Sequence, residues 1–110
     1  MTLLITQLLK VIDPMIEKHY KRQNKFYNAR RLNPSDYIKM KYNDGELTAL
    51  ATVRLDAEFS LTNTELINRI SNTLTDLYNM DKDDITAYTA GYFTVFYNIQ
   101  NKILPKLLKG

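Results

Sequence analysis

The chain has no cysteine and no tryptophan, one histidine, three glycines and three prolines in 110 residues. Each scarcity excludes something. Without cysteine there is no disulfide framework and no zinc site built on thiolates. One imidazole, His19, is a poor start for a metal centre. A nucleophile–base pair would have to bring Ser35, Ser60, Ser71 or a threonine to that single ring together with an orienting acid, and nothing in the spacing does so. Gly45, Gly91 and Gly110 are isolated, so no glycine-rich loop is present to cradle a phosphate. Long apolar runs are missing too. The best, Leu3 to Ile12, is interrupted by Thr6, Gln7 and Lys10, and falls well short of the roughly 20 residues of a bilayer span. It also lacks the basic approach and small-residue cleavage site of a secretory signal. These absences set the expectation of a non-enzymatic protein with no metal and no cofactor, located in the cytoplasm and not at a membrane.

What is there is ordinary globular composition, 45% hydrophobic and 25% charged, on a length that suits a single domain over 1–110. The net charge of +3 is unevenly spread. Residues 1–31 carry seven Lys or Arg against Asp13 and Glu17, a balance of +5; residues 56–110 carry five bases against seven acids, a balance of −2.

Hydrophobic periodicity divides the chain. Leu4, Leu8, Val11 and Ile12 share one face at the helical period. Asp13-Pro14 interrupts that pattern, either starting a second helix or kinking one long helix. The helix from Pro14 to about Arg31 places Met15, Ile16, His19, Tyr20, Gln23, Phe26 and Tyr27 on one arc, and Lys18, Lys21, Arg22 and Lys25 on the other. Asn33-Pro34 ends it. The stretches Tyr37–Asn43 and Glu46–Leu55 flank Asp44-Gly45, a hairpin turn pair. A two-residue loop sets Tyr42 opposite Leu47, Met40 opposite Ala49 and Ile38 opposite Ala51, all apolar on one side. A helix through 46–55 is the main competitor. The Thr62 to Glu65 capping box opens a third helix bearing Leu66, Ile70 and Leu74. Asp81, Asp83 and Asp84 lack the glycine and distant glutamate of a calcium loop, and read as a cap for a last helix. That helix carries Ile85, Tyr88, Tyr92, Phe96, Ile99 and Ile103 on one face, and Pro105 ends it. Gly91 inside it reads as a point where another element crosses closely. The expected fold class is α+β, mostly helical: about four helices packed on a two-stranded antiparallel β-hairpin, in the order α-α-β-β-α-α.

One surface feature stands out. Lys18, Lys21, Arg22 and Lys25 form a stripe that Arg30 and Arg31 extend, and Glu17 is the only acid among residues 14–31. A merely solvated face would mix its signs. Lys39 and Lys41 would prolong the stripe if the two elements lie side by side. Such a row neutralises phosphates and releases counterions. The expectation is a small binding or regulatory protein for nucleic acid. The alternative is an adaptor or inhibitor, by analogy with small chains of phages and other mobile elements, that docks on an acidic host-protein surface. Phe93, Tyr97 and Leu104, off the main apolar face of the last helix, form a candidate protein interface and could support a homodimer. No small-molecule substrate is evident.

Overall fold

Thr2 accepts a hydrogen bond from the Ile5 amide and opens helix α1, Leu3–Tyr27, in the computed structural model, which describes residues 1–110. The helix runs on through Pro14, so Asp13-Pro14 neither ends one helix nor starts another. Pro14 is exposed, and the amide it lacks costs one hydrogen bond on the solvent side. The helix stops at Tyr27, four residues before the expected end, so Arg30 and Arg31 lie in the loop that follows.

The next element overturns the hairpin. Residues Pro34–Phe59 form one uninterrupted helix, α2, and the molecule contains no strand at all. The fold is all-helical, not α+β. The start of α2 is written as clearly as the turn that competes with it: Asn33 accepts from the Asp36 amide at 2.7 Å, Pro34 occupies the first turn, and Asp36 adds an acid near the positive helix end. Asn33-Pro34 thus terminates one helix and begins the next. Burial along α2 recurs every three or four residues, at Met40, Asn43, Leu47, Leu50, Val53 and Ala57. The strand register fails on the same residues. It puts Ile38 and Ala51 inside and Leu50 outside, whereas Ile38 and Ala51 are exposed and Leu50 is fully buried.

Gly45 is buried mid-helix with no left-handed backbone. A Cβ there would overlap the carbonyl of Tyr88, and one on Gly91 would overlap the carbonyl of Tyr42. The two glycines let α2 and α4 (Ala87–Asn98) cross backbone against backbone. The Tyr42 and Thr94 hydroxyls, 2.6 Å apart, close the crossing at its edge. Gly91 is therefore the close-packing point that its isolation suggests, and Gly45 is its counterpart rather than a turn.

Helix α3, Asn63–Tyr78, begins where expected, with Thr62 accepting from the Glu65 amide at 3.1 Å. The Asp81–Asp84 stretch is a short 3-10 turn, not the cap of the last helix; Thr86 and Thr89 cap that helix reciprocally. Pro105 does not end it. A π-helical stretch, Ile99–Ile103, widens the helix just ahead of the proline, and the chain continues as α5, Leu104–Lys109. The main core unites Leu4, Ile5, Leu8 and Ile12 of α1 with Leu50, Val53 and Ala57 of α2, Leu66, Ile70 and Leu74 of α3, and Val95, Phe96, Ile99 and Leu104 of the last helical rod. No residue between Glu17 and Thr48 belongs to it. Beyond it the facing halves of α1 and α2 continue as an antiparallel helical hairpin, and the start of α4 packs on its α2 side at Gly45. No helix is long and apolar enough to cross a membrane.

Candidate nucleic-acid interface

Polar contacts join the two helices of the hairpin, beside the apolar burial of Met40 and Leu47. His19 is buried on the inner face of α1, and Asn43 faces it from α2. The Asn43 amide Nδ2 donates to the His19 carbonyl at 3.0 Å. Its Oδ1 is therefore the acceptor for His19 Nδ1, 2.7 Å away. Nε2 of the same ring faces Glu46 Oε2 at 3.9 Å. Burial pushes the Glu46 carboxyl above the usual carboxylate range, against the opposing pull of His19, Arg22 and Lys18. One turn further out, Gln23 donates to Asp44 at 3.2 Å, and the Tyr27 hydroxyl donates to the same carboxylate at 2.9 Å. That bond holds the exposed tyrosine proton above its ordinary range. These fixed partners set the register of α1 on α2, the role a lone buried asparagine plays between paired helices.

With that register, Arg22, Lys25, Arg31 and Lys39 converge around Phe26 and Leu32 on a trough between the helix ends. One carboxylate, Asp36, lies among the four cations. None of the four cations is in an ion pair; the surface pairs are Lys21 with Glu17, and Arg54 with Asp13 and Glu58. The trough continues past Arg22, Phe26 and Lys39 into a second lobe with Ile38, Tyr42 and Glu46.

Not every basic residue of the stripe joins it. Lys18 sits toward Glu46, close enough for its charge to act on that carboxyl. Lys21 is occupied by Glu17. Arg30 is exposed in the loop beside Arg31. Lys39 lies beside the stripe, but Lys41 does not: its ammonium stands 5.5 Å from the Tyr37 ring centroid, on the side of α2 that faces Thr86 and Ala87. Phe26, on the inner arc of the expected helix, lines the trough itself and is only half-buried. Ile38, Tyr42 and Glu46 are site residues that strand reasoning cannot place here. The helical signal for them is present: Lys39, Tyr42 and Glu46 follow at steps of three and four, as Arg22 and Phe26 do on the facing helix.

The second candidate surface divides. Leu104 is buried in the core at 3% exposure and cannot serve as a surface contact. Phe93 packs edge-on against Tyr78, with centroids 5.3 Å apart, and lies 5.9 Å from Tyr97, which is partly exposed. No group of three or more acidic or histidine side chains is placed to hold a metal ion. Compared with known protein families, curated proteins and solved structures, the chain matches none.

Proposed function

We propose that this protein binds nucleic acid through the trough at the free end of the α1–α2 hairpin, mainly through the phosphate backbone. The observation that carries this reading is the convergence of four unpaired cations, Arg22, Lys25, Arg31 and Lys39, from two helices and the loop between them. Four cations gathered around one carboxylate, Asp36, with none of them in an ion pair, repel one another more than that acid offsets; a polyanion relieves that repulsion and releases counterions as it binds. Phosphate contacts of this kind position a ligand without reading its sequence. The function is therefore weakly sequence-specific binding, with Lys25, Arg31 and Lys39 on phosphates and Arg22 at the centre.

The test is fluorescence anisotropy of labelled oligonucleotides over a range of salt concentrations. Binding should weaken log-linearly with salt. Each neutralised phosphate adds about 0.7–0.9 to that slope, so the Lys25→Ala/Arg31→Ala/Lys39→Ala variant should be shallower by about two. No binding by the natural protein at low salt, or an unchanged slope in the variant, would overturn the reading. It would then leave the cations to an acidic protein surface.

A further inference from the structure

The two lobes of the trough differ in chemistry, and the difference names the form of nucleic acid. This rests on the nucleic-acid reading and goes beyond it. The first lobe, about 430 Å³, sets Lys25 and Arg31 beside the shared Arg22 and Lys39, with Asp36 as its only acid. The second, about 620 Å³, has only the shared Arg22 and Lys39 as cations. It adds the hydrocarbon of Ile38, the ring of Tyr42 and the carboxyl of Glu46. A phosphate belongs in the first and is disfavoured in the second. The flat, largely apolar face of an unpaired base belongs in the second, against Phe26 and Ile38, and either volume is in the range of pockets that hold small ligands. Phe26, Arg22 and Lys39 form the saddle between the lobes. Ile38 is 59% exposed although it is a large apolar side chain beside this charged surface. A duplex keeps its bases stacked and offers only its outer phosphates to a concave trough. A single strand can splay a base onto an aromatic ring while its backbone follows the charge, the arrangement that general single-strand binders use.

We propose that the trough takes single-stranded nucleic acid, one nucleotide straddling the saddle with its phosphate between Lys25, Arg31 and Lys39 and its unpaired base against Phe26 and Ile38. Base-edge donors then meet Glu46, while Asn43 is already committed to His19. The sequence tolerance of stacking follows, since every base has a face to offer.

The experiment titrates the full chain into a labelled single strand and into the matching duplex at one low salt concentration. A second single strand carries 2-aminopurine, whose fluorescence falls when it stacks on a ring. The natural protein is expected to bind the single strand at least tenfold more tightly than the duplex and to quench 2-aminopurine. Phe26→Leu and the exposed Ile38→Ala should each weaken single-strand binding about fivefold or more, while the salt slope and duplex binding stay as they were. Circular dichroism of both variants confirms that the helices are intact, and Ile38→Ala carries the test if Phe26→Leu disturbs them. Equal binding of strand and duplex, or single-strand binding insensitive to both substitutions, would overturn the base-stacking inference while leaving backbone binding in place. No binding to either would remove both.

Discussion

Gly45 and Gly91 show how much one missing carbon can decide. In an exposed helix, replacing glycine with alanine gains about 1 kcal/mol of propensity. Here the added carbon would lie on the carbonyl of Tyr88 or of Tyr42, and both obstacles are backbone, so a whole helix must shift. Gly91→Ala and Gly45→Ala are each expected to destabilise by about 2 kcal/mol or more, lowering Tm by about 10 °C in a thermal melt; a neutral or raised Tm would contradict the backbone-on-backbone crossing. Glu46 gives a pH dependence. Its folded carboxyl pKa is raised by burial above the ordinary 4.5. The protonated form is thus favoured by the fold, and that stabilising contribution is complete below the ordinary value and is lost as pH rises through the raised one. Glu46→Gln holds the neutral form at all pH. Its Tm relative to the natural protein is therefore expected to climb as pH rises above the ordinary 4.5; a difference flat with pH would mean that burial does not govern this carboxyl. His19 is legible in the sequence: its place on the apolar arc of the helix marks it as a packed histidine. Its partner Asn43 is not, because an asparagine inside a stretch that reads as a strand has no reason to face a helix 24 residues away.

At the scale of elements, α1, α3 and the last helix are legible as helices and α2 is not. The capping box at Thr62, the helical periodicity of Leu66, Ile70 and Leu74, and the α1 pattern all correspond to helices in the fold. The misleading signal lies in three residues, Asp44-Gly45 and the asparagine before them, which imitate turn chemistry. Alternation of apolar residues from Ile38 to Tyr42 and from Leu47 to Ala51 is compatible with both periods over so short a span. The cap at Asn33, Pro34 and Asp36 breaks the tie once the proline is taken as a beginning as well as an end. Amide hydrogen exchange separates the two structures directly. As interior positions of α2, the amides of Asp44, Gly45 and Glu46 should be protected to the same extent as those of Leu47 and Leu50; a hairpin turn there would exchange rapidly. Pro14 and Pro105 mislead in the opposite direction. Pro14 leaves a break or one continuous kinked helix open and Pro105 suggests an end, and both lie within continuing helical rods. One is accommodated on the solvent face and the other after a π-helical stretch that spares the turn it would clash with.

At the scale of the whole molecule, an apolar core and a basic end are distinct. Its extents of 45 × 31 × 22 Å describe an elongated body, and its radius of gyration of 14.9 Å exceeds the roughly 13 Å of a compact chain of this length. The outer half of the α1–α2 hairpin contributes no residue to the main core. Charge follows the same division: the basic excess of residues 1–31 gathers at the free end, and the Asp81–Asp84 acids lie outside the trough. Lys25, Arg31 and Lys39 make no ion pair and lie outside the core. Surface substitutions without packing or pairing roles change stability by about 0.5 kcal/mol at most, each. The three together stay below about 1.5 kcal/mol, so the triple alanine variant used to test binding is expected to keep its Tm within about 8 °C of the natural protein; a larger fall would mean that these cations hold the hairpin together rather than serve a ligand.

Residue type and spacing of a few positions along one chain suffice for the Thr62 cap, the apolar stripes of α1 and α3, the basic stretch between Lys18 and Arg31 and the absence of thiolate chemistry. Packing between distant segments fixes that Gly45 meets α4, that Asn43 locks onto His19, that Lys39 joins the trough and Lys41 does not, and that Leu104 is core. Each of these is a contact between residues far apart in sequence. A glycine in a turn and a glycine in a helix crossing have the same neighbours along the chain and differ only in what arrives through space.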